Sequence, residues 1–450
     1  MPSNKNSPSL TSRAISHLSG VAHIPGDKSI SHRSLMLPAL ASGTSIVSGL
    51  LEGEDVLATA AAMRLMGAKI DKRGDGTWCV QGVGLGNLKS PSKTLEMGNS
   101  GTSTRLLMGL VASHPISATF AGDASLTKRP MSRVSNPLAQ TGAHIDASQG
   151  DQLPLTITGS DSPKPLDYTP PMASAQVKSA VLFAGLNTDG TTIVREKTPT
   201  RDHSERLLTA LGADISVESG IDGSRIIKLT GKKPLKATDI VVPGDISSAA
   251  FPLAAAAITE GSDITLVGVG LNPLRTGIID ALKALGADIK VLNIHETGGE
   301  PVGDIHVVGR KLHGIDGLAV EPSTMIDEFP VLFCAAAVAK GTTRLTGLHE
   351  LRVKESDRLA VMTKGLRANG VTVEEFEDGL TITGCGGDDG NGKVPGGATV
   401  ETQLDHRIAM SFLVLGMMAK TPITIDDASA FHTSFPTFAE LMNGLGGKIG

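Results

Sequence analysis

Residues 208–215 have the sequence LTALGADI, and residues 282–289 repeat it almost unchanged as LKALGADI. Leucines three or four positions apart form the apolar stripe of a helix. Glycine ends such a helix because it adopts the left-handed conformation at little cost, and the alternating residues after it indicate a strand. Six versions of this phrase, 70 to 84 residues apart, run along the chain. Their glycines are Gly67, Gly142, Gly212, Gly286, Gly370 and Gly446.

A second phrase opens several of these repeated segments. IPGDKSISHRSLMLPALASGTSIV begins at Ile24, and VPGDISSAAFPLAAAAITEGSDITL begins at Val242. Each has a small polar start, an Ala- and Leu-rich stretch, and then glycine with β-branched residues, which predicts a cap, a helix, a turn and a strand. A helix that is apolar on nearly every side must be enclosed by protein. We therefore predict central helices covered by outer sheets.

The tripeptide PGD divides the chain into two halves. It occurs at residues 25–27 and 243–245, and its second copy restarts the pattern after three repeated segments. The sequence therefore predicts an α/β protein with a first three-repeat domain over residues 21–241 and a second over residues 242–450. Residues 1–20 are polar and serine-rich, and we interpret them as a loose tail grouped with the second domain.

Composition argues against several classes of protein. A formal net charge of −5 and an aromatic content of 3% are not typical of proteins that bind nucleic acid. No apolar run approaches the roughly 18 residues of a membrane span, and the polar opening is not a secretory signal. Cys79, Cys334 and Cys385 are far apart, so we predict neither a disulfide nor a zinc site. A reducing compartment, the cytoplasm, fits this pattern.

Cationic side chains gather where the predicted buried helices begin. A helix N-terminus suits phosphate or carboxylate because it offers unpaired N–H groups and the positive end of a dipole. Arginine adds bidentate contacts and lysine adds a point charge. An acidic protein with such helix starts is expected to bind small polyanions. These cations are Lys28, Arg33, Arg105, Arg129, Lys178, Arg201, Lys354, Arg358 and Arg407.

The same residues also have structural interpretations. Ser29 and Ser174 could serve only as helix caps. Asp327 and Glu355 could be salt-bridge partners of neighbouring cations. GDKS is not a nucleotide-binding P-loop, because the pattern GxxxxGK[ST] is absent. Three cations stay undecided between a site and a solvated surface: Arg105, Lys128 and Lys178.

Eight motifs, in this order, resemble those of the EPSP (5-enolpyruvylshikimate-3-phosphate) synthases, particularly the bacterial class II branch. They are IPGDKSISHRS, GNSGTSTRL, GDASLTKRPM, MASAQVKSA, TRDHSER, MIDEFP, LRVKESDRL and LDHRIAMSF. The resemblance runs from about Gly20 to Gly450. It implies two domains, each with three βαβαββ repeats that have helices inside and sheets outside, and an active site in the cleft between them. It also implies transfer of the enolpyruvyl group of phosphoenolpyruvate to the 5-hydroxyl of shikimate 3-phosphate, with no metal and no cofactor.

The resemblance further implies a role for individual residues. For shikimate 3-phosphate it implies Lys28, Ser29, Arg33, Ser174, Ala175, Gln176, Arg201, Asp327 and Lys354. For phosphoenolpyruvate it implies Lys28, Asn99, Gly101, Arg129, Gln176, Glu355, Arg358 and Arg407. As catalytic residues it implies Asp327, Glu355 and Lys28. We expect Asp327 to act as the base at the hydroxyl and Glu355 as the proton donor to C3, with Lys28 sharing the proton transfers.

Four positions bear on how closely the chain follows the family. Thr433 and Ser434 stand where some members have a lysine, which puts one phosphoenolpyruvate contact in doubt, and Arg201 replaces a tyrosine of some members. Both changes are compatible with class II. Members with alanine at the position of Gly101 resist glyphosate, which occupies the phosphoenolpyruvate site. We therefore expect glyphosate to inhibit this chain.

Three other functions stay open. The sister enolpyruvyl transferase that acts on UDP-N-acetylglucosamine usually has a reactive cysteine in the loop that matches residues 122–131, and this loop has none. A non-catalytic repeat scaffold is disfavoured by the specific charged residues at the segment starts. An RNA-end-processing enzyme is disfavoured by the acidic charge and the scarce aromatics. We expect a monomer with no nucleic-acid or membrane partner.

Overall fold

The helices and strands of the computed structural model, which describes residues 8–387 and 392–450, form two units. The first, called the 26–243 unit, consists of Gly26–Pro243 and the short segment Glu296–Glu300. The second, called the 244–450 unit, consists of Gly244–His295, Pro301–Gly450 and the described residues up to Pro25. Each unit has a hydrophobic core of its own.

The chain is ordered into strands soon after the described part begins. Strand β1 (Leu10–Ser12) pairs antiparallel with a strand near the C-terminus, and β2 (Ser19–His23) pairs parallel with a strand of the same unit. Ile15 and Leu18, between them, are buried in the core. The prediction of a loose tail is therefore wrong from Leu10 onward, because these apolar side chains pack inside. Residues 1–7 of that tail lie outside the described residues.

The 26–243 unit contains three sheets of four strands each. Its helices are α1 (Lys28–Ala39), α2 (Glu54–Leu65), α3 (Gly101–Ala112), α4 (Ala124–Thr127), α5 (Ser132–Gln140), α6 (Ala175–Leu186) and α7 (His203–Ala210). Its strands are β3 (Ser42–Ser48), β4 (Lys69–Lys72), β5 (Trp78–Val83), β6 (Leu95–Glu96), β7 (Ser117–Ala121), β8 (His144–Ser148), β9 (Gln152–Thr158), β10 (Asp167–Tyr168), β11 (Thr191–Glu196), β12 (Asp214–Ser219), β13 (Arg225–Thr230) and β14 (Ile240–Val241). The sheet orders are β14-β3-β5-β4, β6-β7-β9-β8 and β10-β11-β13-β12. In each sheet the first pair is parallel and the other two pairs are antiparallel.

The 244–450 unit has the same kinds of element. Its helices are α8 (Ile246–Ile258), α9 (Gly277–Ala284), α10 (Phe329–Val338), α11 (Arg358–Ala368), α12 (His406–Gly416) and α13 (Phe438–Gly444), with short 3-10 helices at Pro322–Thr324, His349–Val353 and Ser429–Thr433. Its further strands are β15 (Asp263–Gly270), β16 (Asp288–Thr297), β17 (Glu300–Val308), β18 (Thr342–Leu345), β19 (Thr372–Phe376), β20 (Gly379–Thr383), β21 (Val394–Gly396), β22 (Thr399–Val400), β23 (Ala419–Thr421) and β24 (Ile423–Ile425). The sheet orders are β16-β17-β15-β2, β18-β20-β19, β1-β24-β22 and β21-β23.

The long helices that follow the polar segment starts are buried. Every residue of α8 and α10 is buried, and so is Val177–Leu186 of α6. Strands such as β9 alternate buried and more accessible residues, so one face of the sheet covers the core. The prediction of buried helices is confirmed. No helix in the described part of the chain is long and apolar enough to cross a lipid bilayer.

The glycines of the six repeated phrases all adopt the left-handed conformation that ends a helix. Their φ angles run from +76° at Gly212 to +107° at Gly67 and Gly446. A residue with a Cβ would be strained at these positions. The predicted helix ends are therefore confirmed, and each helix is followed by a strand in the same unit, except the last, which meets only a single bridge at Ile449.

Candidate active site

The start of α1 places Lys28 where a ligand can reach it. Asp27, and not Ser29, caps the helix, because its Oδ1 accepts a hydrogen bond from the Ile30 N–H at 2.9 Å. Lys28 Nζ lies 2.5 Å from Oδ2 of Asp55 at the start of α2, and its side chain is 22% exposed. A partly exposed ammonium beside a helix N-terminus can meet an anion there.

Arg33 is buried further along α1. Its guanidinium donates to the carbonyl oxygen of Ser29 at 2.9 Å and to the hydroxyl oxygens of Ser179 and Ser204, each at 2.8 Å. Burial, with a smaller contribution from the charge of Arg201, lowers the pKa of Arg33 to about 10, so it stays charged at neutral pH. The serines tie α1 to α6 and α7. These hydrogen bonds use three of the five N–H donors of the guanidinium.

Two guanidinium groups flank the first turn of α3. Arg129 donates to Oδ1 of Asn99 at 2.8 Å and to the hydroxyl of Ser125 at 3.0 Å. A Cβ added to Gly101 would lie 2.8 Å from Nη1 of Arg105 and 3.5 Å from Nη1 of Arg129. The absence of a side chain at Gly101 therefore leaves the space beside both cations open.

Gln176 connects the starts of α6 and α3. Ser174 caps α6 ahead of its first residue, Ala175. Oε1 of Gln176 accepts a hydrogen bond from Arg105 at 2.9 Å, and its Nε2 donates to the Thr102 hydroxyl at 3.0 Å. Arg105, which the sequence left undecided, thus contacts a predicted site residue. The structure brings it together with Asn99, Gly101, Arg129 and Gln176.

Lys178 has a structural role instead. Its side chain is fully buried, with Nζ 3.0 Å from Oε2 of Glu196 and 2.8 Å from Oε1 of Glu205. Burial raises the pKa of Glu196, while Lys178 acts in the opposite direction. Because two carboxylates enclose this ammonium, Lys178 stabilises the unit and is not one of the cations that can meet a ligand at α6.

In the 244–450 unit, Arg358 is at the centre of the predicted site. The guanidinium is fully buried, with Nε 2.8 Å from Asp405 Oδ2, Nη1 3.2 Å from Asp327 Oδ1 and Nη2 2.6 Å from Glu355 Oε2. Burial by itself lowers the pKa of this guanidinium, but the three carboxylates outweigh burial and raise it above its ordinary value. Arg358 therefore holds both predicted catalytic carboxylates in place.

Asp327 and Glu355 contact this guanidinium from different surroundings. The Asp327 side chain is 14% exposed, and its Oδ1 also lies 3.5 Å from Nζ of Lys354. The Glu355 side chain is 29% exposed. The salt-bridge interpretation of both residues is thus correct, and neither carboxylate is closed off from solvent. Two carboxyl groups in different environments can supply one proton acceptor and one proton donor.

Arg407 adds a second guanidinium to this cluster. It lies in the first turn of α12, donates to the carbonyl oxygen of Asp327 at 3.1 Å, and lies 3.6 Å from Oε1 of Glu328. The predicted site residues of the 244–450 unit therefore form one connected cluster. They are Asp327, Lys354, Glu355, Arg358 and Arg407.

Sequence reasoning missed three buried carboxylates that lie next to these cations. They are Asp55 beside Lys28, Glu328 beside Arg407 and Asp405 beside Arg358. Glu328 and Asp405 stand inside the motifs MIDEFP and LDHRIAMSF. The sequence therefore did contain a signal for them, namely an acidic residue beside a stretch predicted to be buried. A buried charge needs a partner, and that rule could have marked both as arginine partners.

The fold and these residues define the class of protein, an α/β enzyme of two units with cations and paired carboxylates at the starts of buried helices. The chain belongs to the EPSP synthase (3-phosphoshikimate 1-carboxyvinyltransferase) family, whose sequence model matches residues 12–442. The family predicted from the eight motifs is therefore confirmed.

Relatives match along nearly their whole length. The 3-phosphoshikimate 1-carboxyvinyltransferase of Parvibaculum lavamentivorans is 56% identical over 448 residues, which cover 100% of this chain and 98% of that protein. The protein of the same name from Sphingopyxis alaskensis is 60% identical over 433 residues, 95% of this chain and 96% of that one. The solved structure of the EPSP synthase from Acinetobacter baumannii matches with a TM-score of 0.85 at 46% identity, over 98% of this chain and 99% of that one.

Proposed function

We propose that the chain transfers the enolpyruvyl group of phosphoenolpyruvate to the 5-hydroxyl of shikimate 3-phosphate, giving 5-enolpyruvylshikimate 3-phosphate and phosphate. This reaction is a step of the shikimate pathway to chorismate and the aromatic amino acids. The observation that carries the proposal is the pair of carboxylates, Asp327 and Glu355, on the single guanidinium of Arg358. Membership of the EPSP synthase family supports the same reaction.

The addition step needs a base and an acid at the same time. Asp327 accepts the proton of the 5-hydroxyl as its oxygen attacks C2 of phosphoenolpyruvate, and Glu355 donates a proton to C3. Lys28 shares in these proton transfers. C2 of the tetrahedral intermediate then carries the new ether oxygen, a carboxylate, a methyl group and the phosphate.

The elimination step restores the double bond. The bond between C2 and the phosphate oxygen breaks, the Glu355 carboxylate takes a proton from the methyl group, and the proton held by Asp327 leaves with the phosphate. Charge builds on the departing phosphate, so fixed cations near it lower the barrier. Arg358 and Arg407 are the cations already in place beside the two carboxylates.

The substrates are assigned to the cations and caps described above. For shikimate 3-phosphate we propose Lys28, Ser29, Arg33, Ser174, Ala175, Gln176, Arg201, Asp327 and Lys354. For phosphoenolpyruvate we propose Lys28, Asn99, Gly101, Arg129, Gln176, Glu355, Arg358 and Arg407. The contact of Gln176 with Arg105 supports the addition of that arginine to the second set. Guanidinium groups suit both because they bind carboxylate and phosphate with two parallel hydrogen bonds.

Phosphate release tests the reaction and separates it from that of the sister transferase. The purified chain is incubated with phosphoenolpyruvate and either shikimate 3-phosphate or UDP-N-acetylglucosamine, and free phosphate is measured. We expect phosphate release when the acceptor is shikimate 3-phosphate and none when it is UDP-N-acetylglucosamine. Release only with the UDP-sugar would favour the sister reaction, and no release with either acceptor would contradict an enolpyruvyl transferase.

Gly101→Ala is expected to raise the inhibition constant of glyphosate about 10- to 200-fold, the range that one added methyl-sized group produces in a tight pocket. The new Cβ would lie 2.8 Å from Nη1 of Arg105, so this guanidinium has to shift within the proposed phosphoenolpyruvate site. Inhibition constants and the KM for phosphoenolpyruvate are measured for both enzymes. Gly444→Ala is the control, because a Cβ there meets nothing within 4 Å. Equal inhibition constants for Gly101→Ala and wild type would contradict the placement of Gly101.

We further propose that the protein acts as a cytoplasmic monomer. Both sets of site residues belong to one chain, so the reaction needs no second copy. The three cysteines, all within the described part of the chain, are free thiols, as expected in a reducing compartment. Sedimentation equilibrium checks the assembly state, and a dimer mass would contradict the proposal.

A further inference from the structure

Asp405 has a fully buried carboxylate next to the proposed site. Its side chain has no solvent exposure, and both of its oxygens are used. Oδ2 accepts hydrogen bonds from Arg358 Nε at 2.8 Å and from the Ser356 hydroxyl at 3.0 Å. Oδ1 accepts from Arg358 Nη2 at 3.3 Å and from the backbone N–H of Arg407 at 3.0 Å. One buried carboxylate therefore contacts both arginines of the cluster.

The carboxylate fixes which edge of the Arg358 guanidinium faces the site. Nε and one side of Nη2 point to Asp405, which leaves Nη1 to Asp327 and the other side of Nη2 to Glu355. Because a guanidinium is planar, anchoring one edge sets the direction of the other two. Asp405 is fully buried, whereas the Asp327 and Glu355 side chains on the same guanidinium are 14% and 29% exposed.

The backbone before Asp405 is held in an unusual conformation. Gln403 and Leu404 have φ angles of +54° and +59°, so two consecutive residues with side chains lie in the left-handed region. Such residues are uncommon and persist only where the surroundings enforce them. The turn brings Asp405 into position to cap α12, whose first turn carries Arg407. Asp405 thus positions Arg358 through hydrogen bonds to its guanidinium, and it positions Arg407 through a hydrogen bond to its backbone N–H.

We propose that Asp405 is a positioning residue for the reaction: it sets the Arg358 guanidinium by its side chain and Arg407 through the cap of α12. This inference rests on the proposed function. Asp405 does not touch substrate. Its effect reaches phosphoenolpyruvate through the two arginines, and it reaches the proton transfers through the carboxylates that share Arg358.

Asp405→Asn tests the role with little change in size. The amide keeps one oxygen acceptor, but its nitrogen is a donor that faces other donors, either those of Arg358 or the Arg407 N–H, so the two-point anchor is lost. We expect the KM for phosphoenolpyruvate to rise about 10- to 100-fold, the range for a hydrogen bond to a charged group, with a smaller change in the KM for shikimate 3-phosphate. We also expect the pH profile of kcat to move to lower pH, because loss of a nearby negative charge favours the ionised forms of the remaining carboxyl groups. The other charged groups of the cluster are unchanged: Asp327, Glu328, Lys354, Glu355, Arg358 and Arg407.

Glu196→Gln is the matched control for a purely structural role. The Glu196 side chain is only 3% exposed and pairs with the buried Lys178, and its hydrogen bonds go to Lys178 and Thr200 and not to the site arginines. We expect it to lower the melting temperature without moving the KM for phosphoenolpyruvate or the pH profile. If Asp405→Asn does not fold, Ser356→Ala removes a single hydrogen bond to the same carboxylate and is expected to raise that KM about threefold.

The outcomes separate this role from the function on which it rests. Suppose that the wild type turns over phosphoenolpyruvate and shikimate 3-phosphate, and that the Asp405→Asn enzyme keeps the wild-type KM and pH profile. The positioning role of Asp405 would then be overturned, while the proposed function would stand. The role is also overturned if Glu196→Gln changes both readouts as strongly as Asp405→Asn does. Absence of phosphate release by the wild type would overturn the proposed function, and the role with it.

Discussion

The Glu355→Gln enzyme is expected to turn over about 100- to 10,000-fold more slowly than the wild type, the usual contribution of a positioned acid or base. The amide cannot donate a proton to C3 of phosphoenolpyruvate or take one back during elimination. Asp327→Asn is expected to lose a comparable factor, because an amide cannot accept the proton of the 5-hydroxyl. Phosphate release at saturating concentrations of both substrates measures kcat for each variant.

Glu375→Gln controls for the loss of a glutamate charge on an arginine. Glu375 lies 2.7 Å from Nη1 of Arg352 and is 26% exposed, closely similar to Glu355, which lies 2.6 Å from Arg358 and is 29% exposed. We expect Glu375→Gln to keep the wild-type kcat. A Glu355→Gln enzyme with wild-type kcat would remove Glu355 from the proton transfers, and equal losses in both glutamine variants would point to a change in fold.

Arg358→Met is expected to lower the free energy of unfolding by about 3–5 kcal/mol, the typical result of removing one partner from a buried ion pair. The methionine fills part of the space, but Asp405 is left buried without its 2.8 Å partner. Activity should be lost as well, since Arg358 also holds Asp327 and Glu355. Urea unfolding followed by far-ultraviolet circular dichroism measures the stability.

The double variant Arg358→Met with Asp405→Asn makes this prediction specific. It removes the buried charge together with its partner, so it should recover a large part of the lost stability, though not the activity. Arg310→Met is the control for an exposed ion pair, because Arg310 lies 3.0 Å from Asp288 and its side chain is 58% exposed. This substitution should change the free energy of unfolding by less than about 1 kcal/mol. A double variant no more stable than Arg358→Met would show that the unpaired carboxylate is not the cause.

The parts of the fold that the sequence predicted are those set by neighbouring residues. A glycine that ends a helix, such as Gly212, is marked within eight residues by the leucines before it and the alternating residues after it. The N-terminal segment was misjudged because its apolar residues, Ile15 and Leu18, stand singly among polar ones. Its partner strand is also remote, as the contact between Thr11 and Thr424 spans 413 residues.

The same distinction applies to the candidate site. Cations at helix starts were predicted, because a helix start and a basic residue are both local features. Their partners were not, since the contact between Arg358 and Asp405 spans 47 residues and nothing in either segment specifies the other. Lys178 could not be decided from sequence because a lysine in the first turn of a helix has the same local pattern whether it meets solvent or buried carboxylates.

The short segment Glu296–Glu300 has a practical consequence for anyone who wishes to produce half of this protein. A gene fragment that encodes only residues 26–243 would include the helices and sheets of that unit but omit Glu300, which lies 2.7 Å from His203, and the Gly299 carbonyl, which accepts from Arg206 at 2.7 Å. Both contacts support the beginning of α7, directly after Arg201. Ligand affinities measured on such a truncated version would therefore reflect a weakened start of α7 as well as the loss of the site residues of the 244–450 unit. Grafting the pentapeptide back through a designed connection would restore only the support of α7.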